Sequence, residues 1–215
     1  PTEYYPFNFP PYNFQLFGFD AIQKKHNCLV TAHTGAGKTA VALYAIAKHL
    51  QDGHQVIYTA PIKTLGNQKF KEFGEDFEDV GIMTGDIKIN PSANLMIMTA
   101  EILRNAIMRK DNQDDDVYDW KFDSSKIKLV VLDEVHFINN KDRGMVWEEI
   151  ITNLDPSIQL VMLSATIDGA EKLAKWVGDI KKITCHHIPT PFRPVPLKHF
   201  VFWNDKFHLI LEGDS

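Results

Sequence analysis

Residues 32–39 have the types and the spacing of a phosphate-binding loop. They read AHTGAGKT and lie between an apolar run at 28–31 and a helix-forming run at 40–50. Glycines let a backbone fold so that successive N–H groups face an anion, and the start of a helix adds about half a positive charge. A flexible glycine turn before a core helix is the alternative interpretation, against which the flanking strand and helix argue. The predicted ligands of the phosphates are Thr34, Gly35, Ala36, Gly37, Lys38 and Thr39.

Two residues of this loop would act most directly on a nucleotide. In such loops the lysine, here Lys38, reaches the β- and γ-phosphates, and the hydroxyl, here that of Thr39, binds Mg²⁺. The general pattern begins with glycine, whereas Ala32 holds that place in this chain.

Asp133 and Glu134 could supply the rest of the chemistry. They follow the apolar run at 128–132, which predicts a buried strand. At the tip of that strand we expect Asp133 to hold Mg²⁺ through water, and Glu134 to orient or deprotonate the attacking water. An acidic pair after a strand is common by itself. Beside the loop at 32–39, it predicts a hydrolase of nucleoside triphosphates.

Strands alternate with helices along the chain, which is typical of an α/β protein. Near-continuous apolar strands separated by helices predict a mostly parallel sheet with helices on both faces. Ligands of such sheets bind at the carboxyl ends of the strands. The predicted strands are 28–31, 55–59, 80–83, 95–98, 128–132, 159–163 and 180–184, and the predicted helices are 15–25, 40–50, 65–73, 100–109, 145–153 and 169–177.

The composition limits the classes of protein to consider. With 215 residues, 44% of them hydrophobic and 24% charged, the chain can form one sizeable globular domain. The net charge of −5 neither indicates nor excludes nucleic-acid binding, because such contacts depend on local patches. No run approaches eighteen apolar residues, so we expect no membrane partner. Cys28 and Cys185 are interpreted as buried thiols of a reducing intracellular compartment, nuclear or cytoplasmic.

Several motifs together resemble those of a known family. Residues 133–136, DEVH, are similar to a DExH box, and Ser164, Ala165 and Thr166 form a motif that in helicases links hydrolysis to nucleic-acid binding. The chain resembles the first RecA-like domain of a superfamily 2 DExH-box RNA helicase, of the superkiller-type branch that assists the exosome. Ala32 fits this resemblance, since AxxGxGKT is the helicase variant of the loop. The other similar stretches are 60–69, 83–86, 98–104, 142–144 with 147–149, and 193–197.

The resemblance implies a fold, an activity and partners. It implies an α/β, RecA-like P-loop domain that binds ATP and Mg²⁺, within an enzyme that hydrolyses ATP to move 3′-to-5′ on RNA and unwind it. The implied partners are single-stranded or duplex RNA, a second RecA-like domain in cis and RNA-decay machinery. That second domain would supply arginines that stabilise transition-state charge. We therefore expect residues 1–215 alone to bind ATP weakly and hydrolyse it slowly. A DNA helicase of the related repair branch and a non-catalytic scaffold are the alternatives.

The resemblance also divides the chain into three segments. Residues 1–14 are an extended aromatic arm, 15–188 are the RecA-like ATP-binding domain, and 189–215 are a linker and the start of a second domain. Because the sequence begins with proline rather than methionine, we expect it to be a piece of a longer protein. The acidic stretch 110–123 is predicted to be an exposed loop.

Gln15 and Phe9 are the implied contacts with adenine. A glutamine amide can both donate to and accept from the edge of adenine. Phe9 is the candidate for stacking on the base, and Tyr12 competes with it. Packing of an apolar arm on the domain is the alternative for these aromatic residues, and both roles can hold. The Ala-Ile pair that follows the glutamine in the family is replaced here by Gly18 and Phe19.

The remaining motifs would contact the nucleic-acid strand. Hydroxyls, backbone N–H groups and helix N-termini bind phosphates irrespective of sequence. A solvated surface lysine is the alternative for Lys63, and Glu101 is interpreted as a capping or structural residue. The resemblance implies that His136 couples the γ-phosphate side to residues 164–166; simple packing is its alternative. The candidate nucleic-acid contacts are Pro61, Lys63, Thr84, Gly85, Asp86 and Thr99.

Overall fold

The computed structural model describes residues 3–109, 120, 122–139, 144–190, 198–204 and 206–212. The strands of its main sheet are β1 (Asn27–Thr31), β2 (Gln55–Ala60), β3 (Val80–Met83), β4 (Lys88–Ile89), β5 (Leu95–Thr99), β6 (Ile127–Leu132), β7 (Gln159–Ser164) and β8 (Cys185–Pro189). The helices are α1 (Asn13–Gln23), α2 (Thr39–Gln51), α3 (Lys63–Asp76), α4 (Ala100–Met108), α5 (Gly144–Asn153) and α6 (Ala170–Lys181), with a 3₁₀ helix at Val135–Asn139.

The sheet has the strand order β4-β3-β5-β2-β6-β7-β1-β8. All neighbouring strands in it run parallel except β3 and β4, which are antiparallel. A separate antiparallel pair consists of β9 (Lys198–Trp203) and β10 (Lys206–Glu212). The main sheet confirms the predicted mostly parallel α/β architecture.

The core lies on both faces of the sheet because side chains of each strand alternate between them. In β1, Cys28 and Val30 pack in one apolar cluster with residues of α1, α2 and α3. Leu29 packs in the other cluster, with residues of α4, α5 and α6. The prediction of helices on both faces is thereby confirmed, and near-continuous apolar strands are its signature.

The predicted strand at 180–184 is wrong. Helix α6 continues to Lys181, and β8 begins at Cys185. The Lys181 ammonium donates to the carbonyls of Leu154 and Asp155 at 2.9 and 2.6 Å, which ties the end of α6 to the chain after α5. Lys182 then ends the helix with a left-handed φ of +56°. The short segment IKKIT has too few apolar residues to distinguish a strand from the last turn of a helix.

Other predicted features differ in smaller ways. Helix α1 begins at Asn13, so the last two residues of the predicted aromatic arm are helical. Cys28 is fully buried, whereas Cys185 is half-buried, and burial raises the pKa of the Cys185 thiol to about 12. The predictions for 110–119, 142–143 and 191–197 lie outside the described residues. Within the described ranges, every helix is too short or too polar to traverse a lipid bilayer.

Gly18 allows α1 to approach α2 closely. A Cβ atom at Gly18 would lie 2.7 and 2.9 Å from the two γ-carbons of Val41, which is closer than real Cβ atoms come. Next to it, Phe19 stacks on Tyr44 of α2 with ring centroids 4.2 Å apart. The Gly18-Phe19 pair, which departs from the family pattern, therefore provides a close backbone approach and an aromatic stack between α1 and α2.

This contact predicts opposite effects of the same substitution at two helical glycines. Alanine is favoured over glycine inside a helix by about 1 kcal/mol, and a Cβ atom at Gly74 of α3 would meet open space. We expect Gly74→Ala to raise the free energy of unfolding by up to about 1 kcal/mol. We expect Gly18→Ala to lower the free energy of unfolding by about 1 kcal/mol. The steric clash of the new methyl group with Val41 costs more than the higher helix propensity of alanine contributes. Urea unfolding measures both, and equal stabilisation by the two variants would contradict the close approach.

Candidate functional site

The candidate site residues follow neighbouring parallel strands, so the sheet brings them to one edge. The loop at 32–38 follows β1, Asp133 follows β6 and Ser164 ends β7, and these three strands are neighbours. Pro61 follows β2, Thr84 follows β3 and Thr99 ends β5, which are neighbours too. We call the first group the loop half of the edge. We call the second group the Lys63 half, after the lysine that begins α3 two residues beyond Pro61. They meet where β2 lies beside β6.

The loop at 32–38 has the backbone of an anion site. Gly35 and Gly37 adopt φ of +82° and +85°, the left-handed region that favours glycine. Helix α2 begins immediately after Lys38, so its dipole favours an anion there. Lys38 is only 8% exposed, and its ammonium has no hydrogen bond or ion pair within the described ranges. Most of the Lys38 side chain is therefore enclosed, while its ammonium has no protein partner within the described ranges and can bind an anion.

Ala32 is fully buried at the start of this loop. Its N–H donates to the carbonyl of Ser164 at 3.1 Å, which continues the pairing of β1 with β7. Its φ is not positive, so the position does not need glycine. The departure from the general pattern is therefore a core methyl group, and it leaves the two glycines that form the turn in place.

Gln15 holds the loop to α1. Its Nε2 donates to the carbonyl of Gly37 at 2.9 Å, and its Oε1 accepts the backbone N–H of Tyr12 at 2.8 Å. The side chain is 1% exposed in this arrangement. With both amide atoms engaged and the side chain buried, the amide is not open to a base in this arrangement. The structural role is a finding that the spacing alone did not indicate.

Phe9 and Tyr12 lie in different surroundings. Phe9, with an exposed fraction of 41%, lines a cavity of about 410 Å³ together with Gly37 and Thr39 of the nucleotide loop. Tyr12 lines a larger cavity of about 730 Å³ between α1 and β8, to which no residue of the nucleotide loop contributes. The position of Phe9 favours it over Tyr12 as the ring that would stack on a base at the loop.

Asp133 is held at the tip of β6 by three groups. Its N–H donates to the carbonyl of Thr59 at 3.3 Å. Its Oδ1 accepts the N–H of Glu134 at 2.8 Å, and its Oδ2 accepts the hydroxyl of Tyr58. Burial and the nearby Asp133 carboxylate raise the pKa of Tyr58 well above its ordinary value, so this phenol is a donor. Tyr58 was not predicted from the sequence, because a residue within an apolar strand gives no signal of where its hydroxyl points.

The backbone of Glu134 is strained. Its φ is +53°, in the left-handed region that non-glycine residues rarely adopt. Such conformations cost about 1–3 kcal/mol and cluster at functional sites. The bend points the N–H of Glu134 back at Asp133, so the two carboxylates of the motif are placed by one turn of the backbone.

His136 joins Glu134 to the motif after β7. Its Nδ1 lies 3.1 Å from Oε2 of Glu134 and 3.3 Å from the backbone N of Ala165, so it donates to Glu134 when protonated and accepts from Ala165 when not. Its ring stacks on Phe137 with centroids 4.7 Å apart. The Ser164 hydroxyl donates to the carbonyl of Ala165 at 2.7 Å. Thr166 is exposed and does not share these contacts. The structure thus brings His136 and Ala165 together.

The Lys63 half brings together residues from two strand ends. Lys63 forms an ion pair with Asp86, and both side chains are more than half exposed. A Cβ atom at Gly85 would lie 3.3 Å from Nζ of Lys63, so glycine leaves room for this pair. Thr84 is 2% exposed and its hydroxyl accepts the N–H of Ile87, so it holds the turn rather than presenting a free hydroxyl.

The remaining residues of this half lie at the starts of helices. Thr99, 8% exposed, precedes the first residue of α4, and Glu101 lies in the first turn of that helix. Pro61 lies between β2 and α3. Two helix N-termini therefore open at this part of the sheet edge, and helix N-termini favour anions.

The fold and the site define a helicase ATP-binding domain. The chain belongs to the family described as DEAD/DEAH box helicase, whose sequence model matches residues 12–173. The RecA-like fold is shared with a solved structure, a DUF1998 helicase MrfA bound to DNA, with a TM-score of 0.66 at 18% identity over 84% of this chain and 27% of that one.

Among curated proteins, the chain is similar to helicases named for RNA. It is 43% identical to the ATP-dependent RNA helicase mtr4 of Schizosaccharomyces pombe, over 100% of this chain and 18% of the relative. It is 42% identical to the human exosome RNA helicase MTR4, over 94% of this chain and 19% of the relative. The chain therefore spans about a fifth of the length of these relatives.

The contacts of Gln15 predict that its amide nitrogen is needed for folding. In Gln15→Glu the carboxylate can still accept the N–H of Tyr12, but it faces the carbonyl of Gly37 without a proton to donate. We expect a loss of about 1–3 kcal/mol in the free energy of unfolding, measured by urea titration.

Gln23→Glu on the same helix is the matched control. Gln23 is exposed and donates to the hydroxyl of Tyr44 at 2.8 Å, which can reverse its role and donate to a carboxylate. We expect this variant to change stability by less than about 0.5 kcal/mol. Equal losses in the two variants would show that the Gln15–Gly37 bond does not hold the loop.

Proposed function

We propose that this chain is the ATP-binding half of an ATP-dependent RNA helicase that moves 3′-to-5′ and unwinds RNA. The observation that carries the proposal is the loop at 32–38, where Lys38 has no partner within the described ranges, two glycines are left-handed and helix α2 begins. The names of the two curated relatives support RNA as the nucleic acid. We place the protein in a reducing intracellular compartment, with RNA-decay machinery and a second RecA-like domain in cis as its partners.

ATP would bind with its phosphates on residues 34–39 and its base near Phe9 and Gln15. The Thr39 hydroxyl and the Asp133 carboxylate are hard oxygen donors, which fit Mg²⁺. When bound, Mg²⁺ would neutralise phosphate charge at this site. Lys38 would bind the outer phosphates, and Glu134 would orient the attacking water.

His136 would transmit the state of this site to residues 164–166. Its contacts with Glu134 and Ala165 provide the physical connection for that role. Transition-state arginines would come from the second RecA-like domain, so the isolated chain is expected to turn over slowly.

RNA would bind across the Lys63 half through its phosphates. Lys63, Gly85 and the helix N-termini after Pro61 and Thr99 offer charge and backbone N–H groups, which bind phosphates without reading bases. Asp86 would orient Lys63 until a phosphate competes for it. Thr84 would act by shaping this turn.

The first test compares Lys38, which lies in the loop before α2, with Lys48, which lies within α2. We expect Lys38→Ala to lower the affinity of the chain for a fluorescent ATP analogue by at least about tenfold, because a desolvated charge pair is lost. Lys48→Ala removes the same charge from an ion pair with Asp52 at the far end of the helix and should leave the affinity unchanged. Unchanged binding in Lys38→Ala would contradict the proposed ATP site.

In the full-length protein, Glu134→Gln separates hydrolysis from binding. We expect a fall of about 10²–10⁴-fold in ATP turnover with ATP binding retained, because the general base is lost. Wild-type turnover in this variant would refute the assigned role. Strand-separation assays with matched RNA and DNA duplexes, run on the same preparation, test RNA against the DNA alternative.

The second test concerns the RNA phosphates. We expect Lys63→Ala to weaken binding of single-stranded RNA equally for unrelated sequences. The slope of the logarithm of the affinity against the logarithm of the salt concentration should fall by about one. Lys71→Ala, an exposed lysine further along α3, is the control and should bind as the wild type does. A salt dependence unchanged in Lys63→Ala would rule out a phosphate contact by this residue.

A further inference from the structure

We infer that Tyr58 positions the Asp133 carboxylate for the metal ion that accompanies ATP. The inference rests on the proposed function and adds a residue to the site, which the nucleotide loop and the DExH box do not include. Tyr58 would act through Asp133, without contacting the nucleotide.

The Tyr58 ring is fixed before any ligand binds. It is fully buried in β2, which pairs with β6 so that Tyr58 lies opposite Val131. Phe73 of α3 packs edge-on against the ring, with centroids 5.0 Å apart. Because the ring is immobilised by the sheet and by α3, its hydroxyl presents a fixed donor to the residue at the tip of β6.

The two hydrogen bonds of Asp133 orient its carboxylate without closing it. Oδ1 accepts the N–H of Glu134 at 2.8 Å, and Oδ2 accepts the Tyr58 hydroxyl. Each carboxylate oxygen can accept two hydrogen bonds or coordinate a cation with the remaining lone pair. One position on each oxygen is therefore left for Mg²⁺ or for its water.

Removing the hydroxyl would free the side chain to rotate. Partners that orient a metal ligand contribute about 10–100-fold to metal affinity in other proteins. If Tyr58 instead served only as a core ring, phenylalanine would replace it without effect on the metal.

The experiment uses Tyr58→Phe in the 215-residue chain. Binding of a fluorescent ADP analogue is titrated with Mg²⁺ and repeated in EDTA. We expect the Mg²⁺ concentration for half-maximal effect to rise about tenfold in Tyr58→Phe, with binding in EDTA unchanged. Tyr44→Phe is the matched control, because Tyr44 is as buried and its hydroxyl is hydrogen-bonded to Gln23, away from Asp133. It should follow the wild type in both titrations.

A second measurement keeps the test independent of folding stability. In an Asp133→Ala background, adding Tyr58→Phe should cause no further shift in the Mg²⁺ dependence. If the wild type binds the analogue without any Mg²⁺ dependence, the proposed metal site fails and this inference with it. If the wild type depends on Mg²⁺ and Tyr58→Phe matches it, or if the shift persists without Asp133, the inference alone is overturned.

Discussion

The direction of the parallel strands is the constraint on which the site depends. Because β1, β2, β3, β5, β6 and β7 run the same way, their carboxyl ends share one edge, and each loop that leaves this edge can carry a functional residue. The order of the strands then decides which loops are neighbours. The loop at 32–38 lies between the ends of β7 and β8, and the Asp133 turn lies between those of β2 and β7.

The site includes features that do not favour folding. Glu134 has a left-handed backbone, an unfavourable conformation that the apolar clusters on both faces of the sheet must offset. Lys38 contributes no hydrogen bond or ion pair within the described ranges. The same features make sense for a site that binds a polyanion, since the bound phosphates would supply the missing charge of Lys38.

The parallel sheet, the loop and the acidic pair could be predicted from the sequence because each is carried by local pattern. An apolar strand that leads into two glycines, Lys38 and a helix is typical of a phosphate-binding loop. The predicted strand at 180–184, IKKIT, was wrong because its two isoleucines do not distinguish a strand from a last helical turn, which the buried Lys181 holds here. Side-chain contacts between distant segments gave no local signal. The Gln15–Gly37 bond and the Tyr58–Asp133 bond join residues 22 and 75 positions apart, and only the fold brings them together.

Strand β2 connects the two halves of the edge, and this connection bears on how RNA and ATP could influence one another. Tyr58 and Thr59 contact Asp133, while the same strand ends at Ala60 and leads through Pro61 to Lys63. Lys63 pairs with Asp86, and under the proposed function a phosphate of RNA would compete with that carboxylate. Coupling requires such an element with two arrangements, whose equilibrium both ligands shift. Under the proposed function, a change of partner at Lys63 would occur next to the end of β2, a few residues from the groups that orient Asp133. The hydrogen bonds of the sheet would then connect the two sites, and the contact of His136 with Ala165 would be a second connection on the other side of β6.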